Sequence, residues 1–348
     1  MANISNHIIK RTDSVKDVLK KLDFLASDAI VFLVDDDKKL IGTITDGDIR
    51  RGILKGFSLD DDITNYIQTN PKYIIKGNYS IEQLAEWRNN NFKIIPVVDT
   101  EKRIVDIINF RLQKSFLPID AVIMAGGVGS RLMPLTKDTP KPMLEIGGKP
   151  IVEYNVDLLK SYGVSHLTLS VKYLAEIIED YYKDGSSKGM NISYVTENEP
   201  LGTIGAVKQI KEFHNDYILV MNSDLLTNIN LEAMFNELIN NNADMIVATT
   251  DYQVQIPYGV VESNGNKITA LKEKPTYTYY SNAGIYIFKK EMVNYIPENK
   301  HFNATDLLEK GITENNKILH FPINNYWLDI GKHIDFEKAQ KDVKNIKF

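Results

Sequence analysis

The stretch AVIMAGGVGSRLMPLTKDTPKP, residues 121–142, decides the fold of the larger part of this chain. Its first four residues form a short apolar run, which is typical of a buried parallel strand. Three glycines follow directly, at Gly126, Gly127 and Gly129. Such glycines let the backbone pass close to a ligand, and Arg131 and Lys141 add two cations beside the loop. Backbone N–H groups and cations at the end of a strand predict a polyphosphate site.

The glycine loop differs from two common phosphate-binding patterns. A dinucleotide loop, GxGxxG, would need a glycine at Leu132, and a P-loop would need GxxxxGK followed by Ser or Thr. An ordinary glycine-rich turn followed by a proline-rich loop is the simpler alternative. The close grouping of glycines, cations and prolines in residues 126–142 favours the phosphate site over that turn.

Length and composition limit the class of protein. The 348 residues fit two domains better than one. A hydrophobic content of 43% and a charged content of 25% are typical of globular proteins, and the net charge of −5 argues against a nucleic-acid binder. The absence of cysteine excludes disulfides, thiolate metal sites and a cysteine nucleophile. Because no apolar run suits a membrane span or a signal peptide, we expect a soluble, cytoplasmic protein without membrane or nucleic-acid partners.

The first third of the chain contains an internal repeat. VFLVDDDKKLIGTI, residues 31–44, aligns with IPVVDTEKRIVDII, residues 95–108, at a separation of 64 residues. Each copy predicts a strand, an acidic turn and a second strand. An amphipathic helix is predicted before each copy, with apolar-face positions Val15, Val18, Leu19 and Leu22, and Ile81, Leu84, Ala85 and Arg88. The repeat indicates two copies of one supersecondary unit that pack together.

The segment GTITDGDIRRGI, residues 42–53, resembles the CBS modules, which occur as tandem pairs. The resemblance implies a regulatory adenine or guanine nucleotide, with Thr45 and Asp48 at its ribose. The second copy departs from the pattern with Asn109-Phe110-Arg111, so at most one nucleotide site is expected. Two alternatives stay open: the turn is only a helix N-cap, with Asp46 or Asp48 accepting N–H bonds, or the pair is a structural or oligomerising module. We also expect a homo-oligomer.

Strands and helices alternate after Pro118, where we expect the boundary between a domain of residues 1–117 and one of residues 118–348. Residues 166–171 and 217–221 predict buried strands, and residues 152–162 and 231–240 predict amphipathic helices. This alternation predicts an α/β fold with a mostly parallel, Rossmann-like sheet. Ligands bind at the carboxyl ends of the strands in such sheets, where Gly126, Glu197 and Asp224 are expected.

Motifs along the second domain resemble those of the sugar-1-phosphate nucleotidyltransferases. They are GGVGSRLMPLT, PKPM, ENEPLGTIGA, MNSDLL, PYGVVE, KEKP, NAGIYIF and WLDIG, and the likeness covers roughly residues 119–348. The resemblance implies a glycosyltransferase-A-like sheet after a smaller α+β tandem CBS domain. It also implies attack of a sugar-1-phosphate oxygen on the α-phosphorus of a nucleoside triphosphate, with release of pyrophosphate. Two unit charges about 4 Å apart repel by roughly 4 kcal/mol at an effective dielectric near 20, so the site needs cations.

The resemblance assigns the phosphate and metal contacts. It implies that Arg131 contacts the β- and γ-phosphates and that Lys141 bridges the α-phosphate and the sugar phosphate. It also implies that Asp224 and Asp329 hold Mg²⁺, which prefers oxygen ligands. The alternatives are solvated surface cations for the first two residues and turn or cap residues for the two aspartates.

The base and the sugar are assigned in the same way. Glu197 would read the base, near Gly202, and a carboxylate matches the two adjacent donors of guanine, which favours GTP. The sugar would contact a set of residues on predicted strands, or on hairpin turns in the simpler alternative: Gly259, Glu273, Lys274 and Asn282.

The order of the two domains resembles that of the glucosamine-1-phosphate guanylyltransferases of bacterial legionaminic acid (nonulosonic acid) biosynthesis. Mannose-1-phosphate guanylyltransferase and a UTP- or CTP-dependent enzyme are alternatives. A nucleotide-sensing regulator that has lost turnover is an alternative of another class.

Overall fold

The computed structural model describes residues 4–346 and 348. The chain forms two compact units, which are described separately. The N-terminal unit comprises the chain up to Leu117 together with Ser161–Gly163, and the C-terminal unit comprises Pro118–Lys160 and Val164–Phe348. No helix of the described residues is long and apolar enough to cross a bilayer.

Helices and strands of the N-terminal unit follow the two copies of the repeat. Its helices are α1 (Ile4–His7), α2 (Val15–Leu25), α3 (Asp46–Leu54) and α4 (Ile81–Asn89). Its strands are β1 (Ile8–Lys10), β2 (Ile30–Val34), β3 (Leu40–Thr45), β4 (Ile74–Ile75), β5 (Ile94–Val98) and β6 (Ile104–Asn109).

Each copy of the repeat forms the same three-stranded sheet. The orders are β1-β2-β3 and β4-β5-β6, with the first pair parallel and the second antiparallel in both. The ladder shifts register between Leu33 and Val34 in the first copy. The same shift recurs between Val97 and Val98, 64 residues later. The predicted internal repeat therefore extends to backbone detail.

The two copies bond to each other in a nearly symmetric way. The backbone N–H of Leu40 donates to the carbonyl of Lys102 at 2.9 Å, and that of Ile104 donates to the carbonyl of Lys38 at 3.3 Å. Shifting either bond by 64 residues gives the other, as an approximate two-fold axis requires. An apolar cluster between the copies contains Phe32, Ile94 and Ile107.

The apolar face of α4 differs from the predicted one. Ile81 and Leu84 are buried as expected, but the third buried position is Trp87. Ala85 and Arg88 are only half-buried. The large indole packs into the core of the second copy, so it occupies the surface that the two predicted residues would have covered.

Five helices and thirteen strands of the C-terminal unit are described. The helices are α5 (Ile151–Ser161), α6 (Ala175–Tyr182), α7 (Leu231–Asn240), α8 (Ala304–Thr313) and α9 (His333–Asp342). The strands are β7 (Ile119–Met124), β8 (Glu145–Ile146), β9 (Lys149–Pro150), β10 (His166–Val171), β11 (Asn191–Thr196), β12 (Tyr217–Asn222), β13 (Leu225–Thr227), β14 (Met245–Gln255), β15 (Val260–Asn264), β16 (Lys267–Lys272), β17 (Thr276–Lys289), β18 (Ile318–Pro322) and β19 (Trp327–Asp329).

A seven-stranded sheet forms the centre of this unit, in the order β11-β10-β7-β12-β17-β14-β18. Neighbouring strands are parallel, except that β17 runs antiparallel to both β12 and β14. The predicted mostly parallel sheet is confirmed. The predicted strands are β10 and β12, and the predicted helices are α5 and α7, with ends that differ by at most one residue.

Strands β14 and β17 continue their pairing beyond the sheet. Their ladder runs from Thr249↔Asn282 to Gln255↔Thr276, and the hairpin of β15 and β16 lies between them. Most residues of this segment are exposed. We call residues 249–282 the arm.

Candidate active site

A cavity of about 470 Å³ lies where four neighbouring parallel strands, β11, β10, β7 and β12, reach their carboxyl ends. This is the edge at which open α/β sheets bind ligands, and the volume lies in the range of small-molecule pockets. Eight predicted site residues line it: Gly126, Gly127, Gly129, Arg131, Lys141, Glu197, Gly202 and Asp224. The sheet therefore brings residues from distant parts of the sequence into one site.

The glycine loop fits closely against two charged side chains. Gly129 has a left-handed backbone with φ of 67°, and a Cβ there would lie 2.8 Å from Cβ of Lys141. A Cβ on Gly126 would lie 2.9 Å from Oε1 of Glu197. Since real Cβ atoms do not approach so closely, larger residues at either position would displace Lys141 or Glu197.

Lys141 and Asp224 form an ion pair inside the cavity. Lys141 is only 9% exposed. Oδ2 of Asp224 accepts from the ammonium, while Oδ1 is buried and has no hydrogen-bond partner among the described residues. A buried carboxylate oxygen without a partner is costly. Oδ1 is therefore a position at which a cation would be stabilised.

A short strand pair brings Asp329 beside Asp224. Strands β13 and β19 are antiparallel, with Leu225 opposite Asp329. The backbone N–H of Ile330 donates to the carbonyl of Asp224 at 3.0 Å. Asp329 keeps part of its surface open to solvent. Even so, the protein packed around its carboxyl and the charge of Asp224 raise its pKa, against the opposing charges of Lys141 and Arg131.

Arg131 and Asp329 meet at Gly331, a residue of the cavity wall. A Cβ on Gly331 would lie 3.6 Å from Oδ1 of Asp329 and 3.7 Å from both terminal nitrogens of Arg131. The structure thus places Asp329 at the edge of the cavity, together with the predicted cation.

The donor set suits an ion that takes few protein ligands. Residues 4–346 and 348 contain no group of three or more His, Asp or Glu side chains that could hold a metal. Mg²⁺ is usually held by one or two carboxylates, with water and substrate phosphates completing its shell. Asp224 with its unpartnered oxygen, together with Asp329, fits that pattern.

Glu197 is held firmly in the wall of the cavity and is 7% exposed. Its Oε1 accepts from the hydroxyl of Ser170 at 2.6 Å, and its Oε2 accepts from the backbone N–H of Leu201 at 3.0 Å. Each carboxylate oxygen can accept a second bond. The carboxylate is therefore oriented by the protein and still able to accept from a ligand.

The segment after Glu197 differs from its predicted structure. A helix was expected to begin at Thr203, but only a short 3-10 helix, Gly205–Gln209, follows. The hydroxyl of Thr203 accepts from the backbone N–H of Ala304 at 2.9 Å. Thr203 thus contacts the first turn of α8, and this long-range contact competes with a local helix.

The four predicted sugar residues lie in the arm, and none is among the described residues that line the cavity. Gly259 and Glu273 are neighbours, since a Cβ on Gly259 would lie 3.1 Å from Oε2 of Glu273. Lys274 follows in the exposed turn before β17, with φ of 43°. The arm extends beyond the sheet, and this carries these three residues away from the strand ends.

Asn282 lies closer to the cavity than the other three. Its side-chain oxygen accepts from the backbone N–H of Gly284 at 2.9 Å and from the hydroxyl of Tyr286 at 3.0 Å. A Cβ on Gly284 would lie 2.5 Å from Nδ2 of Asn222, a residue of the cavity wall.

Sequence reasoning missed two charged or titratable residues of the cavity wall, Lys172 and His301. Lys172 directly follows β10, so the rule that ligands bind at strand ends could have found it. His301 lies in the loop before α8. It is brought to the site by a backbone bond from Phe302 to Leu201 at 2.9 Å, which no local sequence signal announces.

The N-terminal unit has its own cavity, of about 530 Å³, which is lined by both Thr45 and Asp48. Thr45 is the N-cap of α3, and Oδ2 of Asp48 accepts from its N–H at 2.9 Å and its hydroxyl at 2.6 Å. The capping arrangement is thus present. Arg51 and Lys93 of the same cavity wall add two cations.

The second copy uses the equivalent positions to hold the first copy. The amide of Asn109 donates to Asp28 at 2.8 Å. Arg111 forms an ion pair with Asp28 and a hydrogen bond with Ser27. The departure from the CBS pattern at these positions therefore has a structural role.

Two family models match this chain. The model of the nucleotidyl transferase family matches residues 120–346, and the model of the CBS domain matches residues 5–55, the first copy of the repeat.

Among similar curated proteins is a UTP–glucose-1-phosphate uridylyltransferase of Synechocystis, 31% identical over 65% of this chain and 65% of its own length. Another is a mannose-1-phosphate guanylyltransferase of Mycobacterium tuberculosis, 30% identical over 65% and 64%. A D-glycero-α-D-manno-heptose 1-phosphate guanylyltransferase of Aneurinibacillus thermoaerophilus is 32% identical over 65% of this chain and 99% of its own length. The chain thus spans slightly less than two thirds of the first two relatives and nearly all of the third.

Two solved structures resemble the C-terminal part of the chain. HddC of Yersinia pseudotuberculosis, complexed with GMP-PN, superposes with a TM-score of 0.50 at 28% identity, over 64% of this chain and 98% of its own. A putative glucose-1-phosphate thymidylyltransferase of Bacillus anthracis has a TM-score of 0.55 at 24% identity, over 66% and 97%, which is a likeness of fold.

Proposed function

Because this chain belongs to the nucleotidyl transferase family, we propose that it transfers GMP from GTP to a sugar-1-phosphate and releases pyrophosphate. An oxygen of the sugar phosphate attacks the α-phosphorus of GTP, and the bond from that phosphorus to the oxygen bridging the β-phosphate breaks. The observation that carries the proposal is the cavity at the strand ends. There the glycine loop, Lys141 and Arg131 lie opposite two carboxylates.

Lys141 is suited to bring the two anionic substrates together. Its ammonium has three donors, of which one contacts Asp224, so the others can reach phosphate oxygens. Arg131 lies at the open side of the same cavity, where it can bind the phosphates that leave as pyrophosphate. No covalent enzyme intermediate is needed, so positioning and electrostatic stabilisation would supply the rate enhancement.

We assign Mg²⁺ to Asp224 and Asp329. When bound, the ion would offset negative charge on the triphosphate and help to orient it. The support for this assignment is the unpartnered Oδ1 of Asp224 and the adjacent carboxylate of Asp329.

Guanine is supported by Glu197 and by the names of similar proteins, of which two act as guanylyltransferases and one as a uridylyltransferase. Glucosamine-1-phosphate is our first candidate for the sugar, from the order of the two domains. Mannose- and heptose-1-phosphates are candidates from the relatives' names. We place the reaction in the cytoplasm, as part of nucleotide-sugar synthesis for surface glycans.

For the N-terminal unit we propose a regulatory nucleotide at the cavity that contains Thr45 and Asp48. Its support is the match to the CBS domain and the cations Arg51 and Lys93 in the cavity wall. The homo-oligomer stays a prediction.

The test is a grid of pyrophosphate-release assays. The full chain is incubated with Mg²⁺, each of GTP, ATP, UTP and CTP, and glucosamine-, mannose-, heptose- and glucose-1-phosphates. We expect turnover with GTP and with one of these sugars above the others. Pyrophosphate release by no combination would overturn the transferase proposal and favour the nucleotide-sensing alternative. Preference for UTP would overturn the choice of guanine alone.

A further inference from the structure

Lys172 occupies a place in the cavity that neither the glycine loop nor the carboxylates explain. It follows the last residue of β10, is half-buried and lines the cavity. Across residues 4–346 and 348, no side-chain hydrogen bond or ion pair engages it. A lysine ammonium has three donors and no acceptor, so this side chain is available to a ligand with acceptor atoms.

The parallel pairing of β10 and β11 places Lys172 beside Glu197. Val171 is in register with Thr196, and the next residues of the two strands are Lys172 and Glu197. The backbone N–H of Glu197 donates to the carbonyl of Val171 at 2.9 Å, which extends the pairing by one step. The two charged side chains therefore leave neighbouring strand ends together.

Gly126 lies against both of these residues. A Cβ built on it would be 2.9 Å from Oε1 of Glu197 and 3.4 Å from Cβ of Lys172. A ligand that rests on the bare backbone of Gly126 thus has an acceptor group and a donor group within reach. Glu197 does not consume Lys172 in an ion pair, because its oxygens are turned to Ser170 and Leu201.

This pair of groups matches some nucleobases and rejects others. Guanine carries acceptors at O6 and N7 and donors at N1 and the 2-amino group, so a lysine can bind the former while a carboxylate binds the latter. Adenine and cytosine carry an amino group where guanine and uracil carry an oxo group. That amino group would face the ammonium donor to donor. Uracil keeps the oxo group but offers the carboxylate one donor.

We infer that Lys172 is a specificity-determining residue that binds the oxo group of the base, while Glu197 binds the donors beside it. Lys172 would separate GTP from ATP and UTP from CTP, and Glu197 would separate GTP from UTP. This inference rests on the proposed function and names the atoms of the base that the same cavity recognises.

The experiment measures kcat/KM for GTP, ATP and ITP in the full chain and in two variants. ITP retains O6 and N7 but lacks the 2-amino group. Because a hydrogen bond to a charged group contributes roughly 1.5–3 kcal/mol, Lys172→Met should lower the GTP:ATP ratio by about ten- to a hundredfold. It should leave the GTP:ITP ratio within about threefold. Glu197→Gln should instead lower the GTP:ITP ratio.

Two further variants separate recognition from general damage. Lys172→Gln offers a carbonyl that can accept from the amino group of adenine, so it should raise kcat/KM for ATP above that of Lys172→Met. Lys183→Met, an exposed lysine just after α6, should leave every ratio unchanged. Affinity for a non-hydrolysable GTP analogue, measured by calorimetry, should fall with Lys172→Met in parallel with kcat/KM.

The outcomes distinguish this inference from the function on which it rests. A wild-type chain that prefers GTP, with a GTP:ATP ratio unchanged by Lys172→Met, would overturn the role of Lys172 and leave the transferase standing. A wild-type chain that prefers UTP, with a UTP:CTP ratio that Lys172→Met lowers, would support Lys172 and overturn guanine. Absence of turnover with any triphosphate would overturn both.

Discussion

The ammonium of Lys141 forms an ion pair with the carboxylate of Asp224 in the wall of the cavity, although the two residues are 83 positions apart in the chain. Both side chains are mostly enclosed. Removing one partner of such a pair leaves the other without compensation. The pair therefore holds two groups of opposite charge ready at the place where a triphosphate and a cation would meet.

Lys141→Met should lower kcat/KM for pyrophosphate release by about 10³-fold, the lower end of what a phosphate-binding arginine contributes in other phosphoryl-transfer enzymes. The reason is that the two substrate phosphates would lose the cation placed between them. Lys160→Met, an exposed lysine of α5, is the matched control. Retention of at least a third of the wild-type rate by Lys141→Met would contradict the role given to this residue.

Asp329→Asn should raise the Mg²⁺ concentration for half-maximal pyrophosphate release by about tenfold or more, because one of two anionic ligands becomes neutral. The fold should be kept, since asparagine has the same shape and loses only a charge that Asp224 opposes. The measurement is a Mg²⁺ titration of the initial rate, with circular dichroism as the check on folding. Asp180→Asn, at an exposed position of α6, should titrate like wild type.

Glu153 should give the C-terminal unit a stability that depends on acid. Burial raises the pKa of its carboxyl, but contacts with Lys188 and with the hydroxyl of Tyr181, at 2.5 Å, outweigh burial, so the pKa is lowered below 4.5. Since the folded state holds the carboxylate more strongly than the unfolded chain, the stabilisation is complete above 4.5. It is lost as the pH falls through the lowered pKa.

Urea unfolding at pH 7 and at pH values below 4.5 tests this linkage. The free energy of unfolding of wild type should fall more steeply with acid than that of Glu153→Gln, and the two curves should converge at the lowest pH. Parallel curves for the two proteins would show that Glu153 is not the linked group.

Asp48→Ala should destabilise the N-terminal unit by about 1 kcal/mol, because it removes one half of the capping box at the start of α3. The same change should abolish the rise in unfolding temperature that AMP or GMP gives to the full chain, if the cavity binds a nucleotide. Thr45→Ser keeps the capping hydroxyl and should lose less on both counts. An equal nucleotide response in wild type and Asp48→Ala would leave these residues with the capping role alone.

Several features could be predicted from short stretches of sequence. The repeat at 64 residues gave the two equal sheets of the N-terminal unit, and the alternation of apolar strands and amphipathic helices gave the mostly parallel sheet. The rule on strand ends correctly brought Gly126, Glu197 and Asp224 to one cavity. These predictions succeeded because periodicity and strand ends are local properties, and parallel strands place their carboxyl ends at one edge.

Other features depend on pairings between distant residues. Asp329 reaches Asp224 through β13 and β19, and Lys172 reaches Glu197 through the register of β10 and β11. The arm carries Gly259 and Glu273 beyond the sheet because the ladder of β14 and β17 is longer than its neighbours.

By itself, the sequence determined the kinds of element, their order and the chemistry of the glycine loop, because neighbouring residues control backbone conformation. Only the tertiary structure decided which charged groups face each other across the cavity. That outcome depends on strand register and on long-range hydrogen bonds, which no short stretch of sequence contains.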